Sequence, residues 1–217
     1  LDGSGSHMPR VDLSDHLVHW MRGDTEADAF NTLFAIVSEQ RLLGGNGAIR
    51  GGFTCVCFTE APEALFHRVV GRYRPFGVRV SKRWLFSQGG RPVIYQGGDE
   101  YDQLPESLRW RHVRYEPDSN PPIDFSWERE WRVNVNELYL PPEEVTIVVP
   151  HENYASNLVD AHFYHEHVRV TFLKEAWGEL AAFEQEQPFA YGLSVIPPAV
   201  NPSVKGTSCA KAQAAPY

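Results

Sequence analysis

The chain has 217 residues, 42% of them hydrophobic and 22% charged, and a formal net charge of −8 at pH 7. Those values exclude an intrinsically disordered chain, no apolar run reaches the ~20 residues of a membrane-spanning helix, and the acidic balance argues against a broad phosphate-gripping surface. The three cysteines include two only two residues apart, Cys55 and Cys57; this implies no disulfide framework and makes a cytoplasmic location the expectation.

Residues 1–8 are Gly-Ser-rich and end in Ser-His-Met, which reads as an expression-tag remnant. Residues 9–185 are expected to form one α+β domain, and 186–217 a Pro/Ala-rich tail without periodicity. The first expected strand is residues 17–21, with His19 and Met21 on one face. Asp24 or Thr25 then caps a helix whose apolar positions Phe30, Leu33, Phe34, Val37 and Leu42 recur at helical spacing, with a stop at Gly44-Gly45. Residues 53–58 are almost wholly apolar and read as a buried strand, closed by Thr59-Glu60. Pro62 opens a second helix through Leu65, Phe66, Val69 and Val70. Strands follow at 76–80 and 91–96, then a helix over 99–111 interrupted near Pro105 and a loop over 115–122. Beyond these lie a strand at 144–149, a helix at 153–161, a strand at 167–172 and a helix at 174–184.

Two acids, two arginines and two tryptophans crowd into residues 124–133, which read as one strand. Alternation would put Glu128, Glu130 and Arg132 on one face, and Trp127, Arg129, Trp131 and Val133 on the other. The two carboxylates would stand roughly 7 Å apart, within reach of one substrate. An active site and a salt-bridged edge strand are equally compatible with this pattern.

Other candidates carry less. His162, His165 and His167 lack the spacing of a standard zinc set and read as a surface turn, so no metal is expected. Cys57 sits in an apolar run and reads as an inert core thiol. Thr59 reads as a helix cap. Arg68, Arg72, Arg74, Arg79, Lys82 and Arg83 form a basic concentration that reads as a solvated face. Phosphate-binding loops, the dinucleotide glycine fingerprint and the nucleophile elbow are absent from the sequence.

In chain order the motifs are a His in the first strand, a helix with a Leu-Leu-Gly-Gly exit, Cys-Phe-Thr-Glu, Pro-Phe-Gly-Val, Pro-Val-Ile-Tyr and Glu-Arg-Glu-Trp-Arg. Over roughly residues 13–135 this order resembles the AbiGi-type abortive phage resistance proteins, and more distantly the DarT-like ADP-ribosyltransferases. The resemblance implies an ADP-ribosyltransferase-like fold, with central split mixed or antiparallel β-sheets flanked by helices. It also implies NAD as the substrate that supplies ADP-ribose, and a role as a toxin or phage-defence effector with a possible cognate antitoxin. By motif, His19 would bond a ribose hydroxyl, Thr59 would hold the central polar position, Glu130 would be the catalytic glutamate, and Glu128 would select or deprotonate the acceptor. Trp20 and Tyr95 would supply flat walls for NAD, Tyr95 against the nicotinamide. The DarT-like enzymes carry an arginine near the nicotinamide, for which Arg79, Arg91 and Arg132 are candidates here. The acceptor stays open among DNA, RNA and protein. NAD glycohydrolysis and a non-catalytic binding or sensor module are the alternatives.

Overall fold

The computed structural model describes residues 14–47, 49–60 and 73–159. The expected helix after Pro62, the strand at 167–172, the helix at 174–184, the tail and the three clustered histidines lie outside them.

The first strand, β1, is His16–Trp20. Helix α1, Glu26–Glu39, starts at Thr25, whose side chain accepts from the Asp28 amide while the Asp28 carboxylate accepts from the Thr25 amide. This reciprocal cap satisfies two amides that a helix start leaves without partners. The helix ends at Gln40, in the left-handed conformation at φ 52°, and not at the Gly44-Gly45 pair. Leu42 therefore belongs to strand β2, Arg41–Leu43, instead of the helix that periodicity predicts. Its burial serves both assignments, since apolar spacing alone does not separate a helix end from a short buried strand.

Strands β3 (Val56–Thr59) and β4 (Gly77–Ser81) fall where expected. A short helix, α2 (Lys82–Ser87), follows β4 directly, capped by the Ser81 hydroxyl. The single strand expected at 91–96 is two, β5 (Arg91–Pro92) and β6 (Ile94–Gln96), which join different sheets. The helix expected over 99–111 is a 3₁₀ segment, Gly98–Gln103, followed after Pro105 by α3, Glu106–Arg109. Next come β7 (His112–Arg114), β8 (Glu130–Val133), β9 (Glu137–Tyr139), β10 (Val145–Val148) and α4 (Glu152–Val159).

Among the described residues the main sheet has six strands in the order β10-β4-β1-β3-β8-β5, each described pairing antiparallel. Two further pairs, antiparallel β2-β9 and parallel β6-β7, complete a mixed α/β architecture with few helices among the described residues. One face of the main sheet carries Leu17, Val56, Phe58, Val78, Val80, Val133 and Ile147. These form a single buried cluster with Ala29, Leu33 and Val37 of α1, Leu85 of α2 and Leu158 of α4. Each fully buried aliphatic or aromatic side chain there contributes about 2 kcal/mol.

The sheet has a seam. β10, β4 and β1 pair along their lengths, as do β3 and β8, but among the described residues β1 and β3 register at one pair, Val18 opposite Thr59. Towards the C-terminal end of β1, the His19 ring reaches across instead, its Nδ1 2.7 Å from the Cys57 carbonyl. A side chain replaces a ladder bond at the junction of the two halves.

Candidate active site

Register defines the sheet's second face. Val18 stands opposite Thr59, Thr59 opposite Glu130, and Cys57 opposite Arg132, so Val18, Trp20, Cys57, Thr59, Glu130 and Arg132 share it. This face is not solvated: Val18, Trp20 and Val148 are buried together, with Tyr73 and Trp127 packed against them. Aromatic rings thus flank a patch of acids.

The predicted ten-residue strand is shorter than its alternation suggests. Ser126–Glu128 is a 3₁₀ turn, Arg129 is left-handed at φ 46°, and extended backbone begins at Glu130. Glu128 is therefore not on the strand, and the two-residue alternation does not relate it to Glu130. The Asp124 carboxylate explains the local fold, accepting from both the Ser126 amide and hydroxyl and so competing with extended pairing. Glu128 is buried even so, at 9% exposure. Its backbone carbonyl accepts the Thr59 hydroxyl, while the Arg129 carbonyl accepts the Glu60 amide. The end of β3 thereby holds the turn against the strand. Trp127 joins Trp20 on the acidic face, contrary to the alternation, because the turn rotates it there.

Glu130 and Arg132 make the central contact. Arg132 Nε donates to Glu130 Oε1 at 2.8 Å and Nη2 to Oε2 at 3.3 Å, a two-pronged grip. Arg132 Nη1 donates to the Trp110 and His112 carbonyls, both at 3.0 Å. At 1% exposure Arg132 is turned into the protein. Its guanidinium is engaged by the Glu130 carboxylate and two backbone carbonyls. Of the other arginines considered, Arg91 stacks 3.7 Å over the Phe86 ring and donates to the Phe86 and Gly90 carbonyls. Arg79 lies on the acidic face, opposite Val18 and Thr146.

Tyr95 meets Glu130 through the backbone. Its hydroxyl accepts the Glu130 amide at 3.1 Å and donates to the Phe125 carbonyl at 3.2 Å. Burial, with Glu130 and Glu128 close by, raises its pKa far above the ordinary range, so the phenol keeps its proton. Tyr73 is pushed up to about 12, first by burial and then by Glu128, and its hydroxyl accepts from Arg22 Nη2 at 3.3 Å. The Cys57 thiol is pushed well up by burial and by Glu130 beside it, which fits an inert thiol rather than a nucleophile.

His19 stands apart. Alternation puts it on the core face, where its ring meets Phe58 edge-on at 5.7 Å. The Cys57 carbonyl can only accept, so Nδ1 carries the proton and Nε2 is the acceptor nitrogen. Burial lowers its pKa and keeps the ring neutral, partly opposed by the Cys57 bond and assisted by Arg22.

The fold therefore gathers Trp20, Thr59, Tyr95, Glu128, Glu130 and Arg132, and sets His19 at the seam behind them. Tyr73, Trp127 and Arg22 are additions. Trp127 was visible in the motif but assigned to the wrong face, whereas nothing in the sequence around Tyr73 marks it. No group of three or more His, Cys, Asp or Glu side chains among the described residues could hold a metal ion. No described helix is long and apolar enough to cross a membrane. Comparison of the chain with protein-family models, with curated proteins and with solved structures finds no match.

Proposed function

We propose that the chain is an NAD-dependent ADP-ribosyltransferase, a toxin or phage-defence effector that transfers ADP-ribose to a nucleic-acid or protein acceptor. The observation that carries this reading is the Glu130 carboxylate, fixed on the sheet by Arg132 and set beside Thr59 and a wall of Trp20, Tyr73 and Trp127. Breaking the bond between nicotinamide and ribose builds positive charge on the sugar, as glycoside cleavage does. A carboxylate whose orientation is fixed before the reaction stabilises that charge without having to reorganise. Arg132 serves this by holding Glu130 in one rotamer, and the aromatic wall suits a flat ring in a water-poor setting.

Glu128, brought to the same neighbourhood by its turn, is the group assigned to the acceptor, where it would orient or deprotonate the incoming nucleophile. The ribose contact that the resemblance implies for His19 is not part of this reading, because its ring lies on the core face against Phe58, opposite the face of Glu130. The defence role follows from the resemblance to AbiGi-type proteins, and the cytoplasmic setting from the cysteine usage. The test is to incubate the protein with isotope-labelled NAD and separate DNA, RNA and protein pools for mass spectrometry. Label on one pool, absent with Glu130→Gln, supports transfer; free ADP-ribose alone indicates hydrolysis, and untouched NAD sinks the proposal.

A further inference from the structure

The geometry points to Tyr95 as a positioning residue that sets Glu128 relative to Glu130, and not as a wall against the nucleotide; its consequence for catalysis rests on the reading of Glu130 above. β5 pairs with β8 through Arg91 and Pro92, and the Val93 amide then donates to the Glu130 carbonyl at 3.0 Å. Beyond Val93 the chain turns away to pair with β7, and the Ile94 amide goes to the Arg111 carbonyl. The Glu130 amide is met there by the Tyr95 hydroxyl. A phenol takes over where the strand leaves the sheet.

The same hydroxyl donates to the carbonyl of Phe125, the residue that opens the Ser126–Glu128 turn. One oxygen therefore ties both ends of the segment from 125 to 130, which includes left-handed Arg129. That conformation is unfavourable for a residue with a Cβ, so the turn needs outside fixing to hold one shape. Thr59 ties it from β3, at the Glu128 carbonyl. Tyr95 and Thr59 together fix how far the Glu128 carboxylate stands from that of Glu130.

Tyr95→Phe removes the hydroxyl and keeps the ring. We expect the Glu130 amide to lose hydrogen-exchange protection by about tenfold, the scale of one net hydrogen bond, while the Phe58 and Val80 amides stay protected and report an intact fold. With NAD and acceptor, kcat should fall by about tenfold or more with KM for NAD unchanged, because a positioning role is felt in the transition state. Unchanged protection at Glu130 overturns the inference, as does a rise in KM with kcat preserved, which would place the ring on the nucleotide. The exchange measurement needs no turnover. If wild type leaves NAD intact, the catalytic reading fails while exchange still decides whether Tyr95 holds the turn. Should Tyr95→Phe not fold, exchange at Glu130 in Thr59→Val decides instead: loosening there supports a turn tied from two sides, and unaltered protection contradicts it.

Discussion

Arg132 and Glu130 lie two residues apart on one strand and form a buried ion pair, Nε to Oε1 at 2.8 Å, with the arginine also bound to two backbone carbonyls. Removing one partner strands the other charge. Arg132→Met is expected to destabilise the fold by about 3 kcal/mol or more, read as a shift in the urea midpoint. Arg132→Lys should recover little, because one ammonium cannot reproduce a fork to the carboxylate plus two carbonyl bonds. Near-wild-type stability in Arg132→Lys would show that the fork is dispensable.

His19 and His112 make stability fall on the acid side. Burial lowers both from the ordinary value of 6.5, so each is neutral when folded and ordinary when unfolded. Above about pH 7 neither form binds a proton and the two contribute no slope. As pH drops below 6.5 the unfolded chain takes up protons that the folded chain resists, so stability is lost, by up to about 1.4 kcal/mol per pH unit per group. Urea midpoints at pH 7.5 and 5.5 should differ less in His19→Gln than in wild type. An identical pH dependence in the two proteins would show that His19 is not held neutral.

Gly77 makes room for the aromatic wall. A Cβ there would stand 2.8 Å from Val18 Cγ1 and 2.9 Å from Trp20 Cε3, too close for either to stay. Gly77→Ala should cost about 1–3 kcal/mol and change the near-ultraviolet circular dichroism of the buried tryptophan. A variant of wild-type stability with an unaltered spectrum would mean that the wall yields without consequence.

The sequence disclosed those parts of the fold that depend on local chemistry. A cap at Asp24 or Thr25 marked a helix start, and the apolar run ending at Phe58 marked a buried strand. It misled wherever a local pattern was extended by its own period. Leu42 continued the helical spacing but followed the left-handed Gln40, and the alternation of 128, 130 and 132 was broken by the Asp124 bonds to Ser126 and by left-handed Arg129. The candidate acids were legible because buried charges are rare in an apolar setting. Arg132 was legible beside them, but the other neighbours were not, since Tyr95 reaches Glu130 only because β6 leaves the sheet, and Tyr73 joins Trp20 only through packing. Such relations belong to the tertiary fold, and periodicity carries no trace of them.

The central claim is that Glu130 supports cleavage of NAD. Its most direct test is release of labelled nicotinamide from NAD, followed with purified wild type and with Glu130→Gln, the fold of each checked by exchange at the Phe58 amide. The account predicts release by wild type and a loss of about a hundredfold or more in Glu130→Gln, the scale of removing a fixed electrostatic group. Equal release by two folded proteins, or no release by wild type in the presence of DNA, RNA and protein acceptors, would contradict it.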